Sequence, residues 1–475
     1  MCSIAQPIVS NLENANRPVK AVPSLLDLAK RSFQDLKFQD AMIQIDAVLQ
    51  IDEQNCDAFT LRAAIQHELH EDYLAMADYT RALDICPKSL NILLERGQLF
   101  HFLNQFDASL KDCTSAIALD PNIAKAYYLR GQCYSSLKQQ EKALDEYNKA
   151  VHLDSTFAMV YNNRGVIRSL LGDLDGAVSD YNRGLTIDSS KTVLYQNRAR
   201  VHLEKADYGT AVADFDKAIA LSPKEPDLYY QRGVLRRYYG DYEGSVQDLN
   251  DAIRWSEREK ADYFLQRGLS FYHWRKQDSV IQNLDKAIEI NPNLAEAYYY
   301  KGLFYKVKND DTQAFIFLTR CIEEDKTYFS AFSVRGDLYY RNGQFALSIP
   351  DFTEVIKAFP NDEFAYIGRG NAYRNISKYK EAIRDYTEAL RDNNLSDAAL
   401  HGRAMCKFQT GEFKSAIVDY SRALELNPLK ETYFNRAFAK LAFNDKNGAC
   451  EDFQKAAAMG LAKAKSDAIL KACQK

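Results

Sequence analysis

Apolar residues along this chain recur at helical spacing, and the figure they draw repeats. Tyr127, Gly131 and Tyr134 fall three and four apart, the stripe of one helix face. A polar turn follows at 138–140, and Ala143, Tyr147 and Ala150 then draw a second stripe. Pro-Asn steps beginning at Pro121, Pro292 and Pro360 punctuate the ends of such pairs. The period is 34 residues. A small residue marks it at Gly97, Gly131, Gly165, Ala199 and Gly233 and, after one inserted residue, at Gly268, Gly302, Gly336, Gly370 and Ala404. Ala29 and Ala63 extend the series backward, and Ala437 extends it forward, one residue early. Thirteen units, each a pair of amphipathic helices, therefore run over residues 22–461. The small residue lets the two helices of a pair approach closely, and a Leu there would overpack the contact at a cost of about 1–3 kcal/mol.

The unit resembles the tetratricopeptide repeat (TPR), which has aromatic residues at positions 4 and 24, small residues at 8, 20 and 27 and Pro at 32. Position 4 is Phe59, Tyr127, Tyr161, Tyr195, Tyr229, Phe264, Tyr298, Phe332, Tyr366 and Tyr433 in most units. Position 27 is Ala82, Ala116, Ala150, Ala218, Ala252, Ala287, Ala389, Ala423 and Ala456, and position 32 includes Pro87, Pro223 and Pro428. The resemblance implies an all-α fold, a right-handed superhelical α-solenoid of tandem helix-turn-helix repeats. It covers about nine-tenths of the chain and is specific for fold, but it implies only that the function is to bind other proteins.

The departures are informative too. The first unit is degenerate, as an end repeat facing water should be. Residues 462–475 read as a C-terminal capping helix over the last pair, and residues 1–21 as a disordered tail. Pro350 falls inside a second helix, where loss of its backbone donor predicts a kink.

Position 7 is basic in twelve units: Arg62, Arg96, Arg130, Arg164, Arg198, Arg232, Arg267, Lys301, Arg335, Arg369, Arg403 and Arg436. Such a register could hold phosphates. Position 23 answers it with Asp78, Asp112, Glu146, Asp180, Asp214, Asp248, Asp351, Asp385, Asp419 and Asp452. The first unit loses both charges together, as Leu28 and Gln44, while Lys301 is matched with Phe317 and Arg267 with Asn283. Paired loss predicts spatial partners, so the row reads as partly buried Arg–carboxylate pairs within or between units.

What the core pattern leaves over marks a groove. By the resemblance, positions 2, 5, 9, 12 and 13 of the first helices line a concave face. Units 7 to 9 place there Tyr230, Val234, Tyr238, Leu265, Leu269, Tyr272, Tyr299, Leu303 and Val307, with Arg237, His273 and Lys306 nearby as donors. Apolar and aromatic side chains not needed by the core mark a binding surface. The alternative is that the face narrows here and these residues touch one another. Asn162, Asn163, Gln196, Asn197 and Arg200 form a second, polar candidate surface suited to a peptide backbone, or simply a solvated face. The two-carboxylate clamp with which some members hold a chaperone's acidic C-terminus is not reproduced in any three successive units. Asn371 follows Ile367, and Asn435 follows His401 and Met405, so that partner is disfavoured.

Composition narrows the rest. The chain of 475 residues is 46% hydrophobic, too apolar for wholesale disorder, and has no apolar run long enough to span a membrane. Sixty-one basic against 65 acidic residues give a net charge of −4, which does not gather nucleic acid. Thirty Tyr and 25 Phe stand against two Trp. The first residues lack the basic and apolar regions of a secretory signal. Nine cysteines without CxxC spacing read as small core residues in a reducing cytoplasm, since a chain of this length needs no staples. His67, His70 and His101 could make a weak metal site but lack a clear third ligand, and no nucleotide or nucleophile motif occurs. The sequence thus reads as a non-enzymatic scaffold or adaptor without a cofactor, binding a peptide or helical segment in its groove. The alternatives are an RNA-associated helical-repeat protein and a regulatory subunit of an enzyme complex.

Overall fold

The computed structural model describes residues 18–391, 395–462 and 473. These fold into 26 α-helices with no strand among the described residues, two helices for each of the thirteen repeats. The chain divides into two compact units, Met1–Leu235 and Arg236–Lys475, with the boundary inside the helix Pro226–Tyr238. Apart from the boundary helix, each helix packs on its neighbours in sequence, most closely on its partner within the repeat. First helices also reach the first helix of the next repeat, for example Leu90–Phe102 on Ala124–Ser136 and Glu363–Asn375 on Asp397–Gln409. They form the inner layer, which the second helices back.

Local geometry explains the regularity. Each first helix ends in a residue with positive φ at position 15, as in Lys138 (57°), Gly172 (84°), Ala206 (56°) and Gly240 (82°). Around Lys138 the Gln139 N–H donates to the Tyr134 carbonyl at 2.9 Å, the 6→1 bond of a Schellman turn. Glycine or Asn fills position 15 in seven repeats, including Asn104, Asn309 and Asn444, and less suited residues fill the others. The second helix often starts on an Asp that caps it, as Asp173 accepts from Gly176 N–H at 2.9 Å.

Close packing of the pair is enforced by the small residue at position 8. A Cβ added to Gly131 would stand 2.7 Å from the buried Tyr147 ring. Ala and aromatic residues fill the interface, with Tyr147, Tyr181, Phe215, Tyr386 and Tyr420 almost wholly buried. The helix Phe345–Ala358 runs unbroken through Pro350, with the Ser348 hydroxyl on the Phe345 carbonyl.

The first helix begins at Pro18, four residues inside the segment read as a tail; residues 1–17 lie outside the described residues. The capping helix read at 462–475 also lies outside them apart from Leu461's neighbour Ala462 and Cys473. Cys473 packs on the Ala437, Ala449 and Phe453 cluster and is joined to Cys450. A second disulfide links Cys56 and Cys86, whose Cα atoms are 6.2 Å apart. These pairs correct the expectation that the thiols are all small core residues. Antiparallel helices bring the start of a first helix, where Cys56 lies, beside the end of its second helix, which Cys86 caps. Cys113, Cys133, Cys321 and Cys406 are free and buried, as expected of core thiols.

Candidate groove and its internal supports

The basic row at position 7 is internal. Arg403 donates from Nε and Nη2 to both oxygens of Asp419 at 2.8 Å, and the same fork joins Arg96 to Asp112, Arg335 to Asp351 and Arg436 to Asp452. The remaining Nη1 reaches back to the second helix of the preceding repeat, as Arg403 does to Thr387 Oγ1 at 3.2 Å. Where position 4 is aromatic the guanidinium also lies over that ring, Arg164 over Tyr161 at 5.3 Å and Arg369 over Tyr366 at 5.7 Å, whereas Arg96 lies over Phe100. One arginine thereby fastens three helices. Burial raises the pKa of Asp351 and Asp385 against the pull of their arginines.

The exceptions obey the same geometry. Asn283 accepts from Arg267 Nε at 2.7 Å, and burial lowers the pKa of that arginine, which lacks a carboxylate here. Lys301 lies 4.0 Å over the Phe317 ring and turns to Asp285 of the preceding repeat at 2.5 Å. In the first repeat Gln44 accepts from Ser32 Oγ at 3.0 Å while Leu28 faces solvent.

The residues expected to line the groove fall into three groups. Tyr230 and Val234, in the first unit, are half-buried. In the second unit Leu265 and Leu269 are core, 2% and 0% exposed, and support the face from below. Tyr238 and Val307 are well exposed, and Tyr272, Tyr299 and Leu303 are half-buried. Here the structure adds rings that the positional rule missed. Tyr300 meets Tyr272 edge-on at 5.9 Å and Tyr299 at 5.4 Å, and Tyr299 meets Tyr328 at 4.9 Å. Burial raises the pKa of all four phenols. Glu296 stands beside this cluster, its pKa raised by burial and held back by Arg237. Tyrosines therefore do touch one another, and Tyr238 and Val307 remain open at the rim.

The polar set is a chain of amides. Asn197 donates to Asn162 Oδ1 at 3.0 Å, Asn162 to Asn163 Oδ1 at 3.0 Å and Asn163 to the Tyr128 hydroxyl at 3.2 Å. Asn162 is buried, Gln196 is half-buried, and the exposed Arg200 donates to Gln231 at 3.1 Å. Much of this surface is engaged with itself.

A recess of about 440 Å³ on the inner layer of repeats 9 to 11 was not anticipated. Val334, Tyr340, Phe352, Phe364 and Ile367 line it, with Asn371 and the Lys306–Asp337 ion pair at its edge. Its floor exists because position 6 is Gly368, against which the Phe352 ring lies 2.6 Å from where a Cβ would stand. Gly368 and Gly402, two glycines at successive positions 6, are the sequence signal that could have found it.

Residues weighed for other chemistries are occupied. Asn371 Oδ1 accepts from the Tyr386 hydroxyl at 2.8 Å, and Asn435 lies 3.4 Å from His401. His67 Nδ1 is 2.6 Å from Asp72, and its ring meets Phe102 at 5.0 Å. No cluster of three metal-ligating side chains occurs among the described residues. No described helix is long and apolar enough to cross a membrane.

Three sequence profiles of the tetratricopeptide repeat match the chain, over residues 124–157, 159–191 with 193–225, and 367–430. No curated protein matches it. Among solved structures, a tetratricopeptide repeat protein from Parabacteroides merdae is 20% identical, matching 53% of this chain and 99% of its own with a TM-score of 0.43. Cut9 in its APC/C hetero-tetramer with Hcn1 is 15% identical over 99% of this chain and 98% of its own, TM-score 0.39. YrrB, described as a TPR protein with an unusual peptide-binding site, is 22% identical over 40% of this chain and 97% of its own, TM-score 0.36. The profile matches fall on five of the thirteen consecutive helix pairs, and the chain carries tetratricopeptide repeats there.

Proposed function

We propose that this protein is a non-enzymatic adaptor whose inner layer of first helices holds a segment of another protein. The observation that carries the reading is the division of labour among side chains. The repeat's arginines are spent on internal carboxylates, whereas Tyr238, Val307 and Phe364, 74%, 63% and 82% exposed, serve no core. Peptide recognition by helical grooves needs this kind of exposed anchor beside a few oriented polar groups. The RNA-associated alternative requires a basic face, and the acid-paired arginines weigh against it. A regulatory subunit of an enzyme complex would use the same surface.

The test is capture from native lysate by the wild type and by Tyr272→Ala/Tyr299→Ala. Loss of specific partners from the variant is expected. Identical partners with both would refute the repeats 7–9 groove, and retention of RNA at moderate salt would replace the adaptor reading.

A further inference from the structure

We propose that the recess between the C-terminal ends of the helices Ala261–His273 and Ala295–Val307 anchors acidic peptide segments that carry a bulky apolar side chain. The proposal rests on the groove reading above and specifies its partner. The recess measures about 500 Å³, within the ~300–1,000 Å³ of small-ligand sites. Its wall is apolar, built from Val280, Phe304, Val307 and the Tyr272 ring, and its rim carries His273, Arg275 and Lys308. No carboxylate lines it.

The sign of the occupant follows from that rim. Arginines at position 7 other than Arg267 are neutralised, and neither Arg275 nor Lys308 has a carboxylate within ion-pair distance among the described residues. Both are exposed. The Arg275 backbone takes the left-handed turn position at φ 61°. Behind His273 lies Arg237, only 8% exposed, stacked 4.4 Å from the Tyr238 ring centroid. It gives one N–H to Gln266 at 2.9 Å, while its Nε–H is buried without an acceptor. A buried donor left open is costly, and a carboxylate seated at the rim faces two unpaired cations, with Arg237, whose charge also acts on Glu296, behind them. The apolar wall calls for a large hydrocarbon side chain next to that carboxylate.

A peptide fits better than a nucleic acid. Glu296 lies in the first turn of the helix that ends at Val307, about 17 Å away at 1.5 Å per residue. That acidic group beside Tyr300 and Tyr328 would repel a phosphate backbone tracking along the helix. Two cations beside one small recess suit a single acidic residue instead.

The experiment is selection of a displayed random nonapeptide library on the full chain, with a pool of random RNA oligonucleotides in parallel at 0.15 M salt. The variant is Arg275→Asn/Lys308→Glu. Asn is chosen because it accepts the left-handed backbone, and the melting curve of the variant confirms folding. Arg275→Lys keeps the charge, and Lys357→Glu, far from the recess in sequence, lowers the net charge by two, against three in the double variant. The expected result is enrichment of peptides with Asp or Glu next to Phe, Leu or Trp. Their binding should fall at least tenfold in the double variant and stay within twofold in Arg275→Lys and Lys357→Glu. Enriched peptides that bind the double variant equally would overturn the anchor and leave the adaptor reading standing. No enrichment at all by the wild type would overturn both. RNA retained by the wild type and released by the double variant would assign the recess to nucleic acid and overturn the proposal.

Discussion

Arg164 and Asp180 meet as a two-pronged pair across the two helices of one repeat, Nε on Oδ2 at 2.9 Å and Nη2 on Oδ1 at 2.5 Å. Asp180 is 2% exposed and also receives Arg168 at 3.0 Å, while Arg164 spans to Asn148 of the preceding repeat. Repetition of this join along the chain makes charge a structural element of the fold.

Truncating one partner strands the other. Asp180→Ala should destabilise the protein by up to about 3–5 kcal/mol, because two partly buried guanidinium groups lose their shared carboxylate. Replacing both, as Arg164→Met/Asp180→Leu, should cost less than the single change, since only Arg168, which keeps Asp173 at 3.7 Å, then loses a carboxylate. Thermal or urea unfolding of the three proteins checks the ordering, and an unchanged melting curve for Asp180→Ala would remove the ladder from the account.

Ala206 bears a left-handed backbone at φ 56° where four other repeats place glycine. Relief of that strain, about 1–2 kcal/mol for an L-residue, is partly offset by the greater freedom of glycine when unfolded. Ala206→Gly should therefore stabilise by up to about 1 kcal/mol, measured as a shift of the urea midpoint.

Gly368 sets the floor of the repeats 9–11 recess. A methyl group there meets the Phe352 ring at 2.6 Å, so Gly368→Ala should lose about 1–3 kcal/mol by overpacking. Gly209, where an added Cβ meets nothing within 4 Å, is the matched control and should tolerate Ala.

His401 supplies a pH dependence. Its pKa is lowered first by burial and then by Arg374, against Asp397 and Glu431. Its Nδ1 lies 2.8 Å from Thr432 Oγ1, and Nε2 faces the Asn435 amide, an arrangement that suits the neutral ring. Below the ordinary value near 6.5 the unfolded chain takes up a proton that the folded chain resists. Stability from this group is thus present above about pH 6.5 and is lost as pH falls below it. The slope of Tm against pH between about 5 and 7 should be shallower in His401→Gln, and an identical slope would exclude the group.

Thiol titration checks the two disulfides. With Cys56 joined to Cys86 and Cys450 to Cys473, denatured but unreduced protein should show no more than five free thiols out of nine. Nine free thiols would mean that both pairs stay reduced, as the cytoplasmic reading expects.

The period of apolar positions determined the helix pairs, their number and their register by itself. Hydrophobic spacing and a small residue every 34 positions encode local structure and the contact between neighbours in sequence. Arg–carboxylate pairing was also legible, because Leu28 with Gln44 and Lys301 with Phe317 depart together. Other features were set by three-dimensional approach. Leu265 and Leu269 hold groove positions by register yet are sealed into the core by Phe264 and Leu284. Asn162 and Asn197 turned out to satisfy one another, and Cys56 met Cys86 because antiparallel helices share an end. Tyr300 and Tyr328 lie outside the positional rule and still complete the tyrosine cluster. Periodicity fixes which face a residue takes; what that face meets depends on side-chain reach and on the neighbouring repeat, and only the tertiary structure decides it.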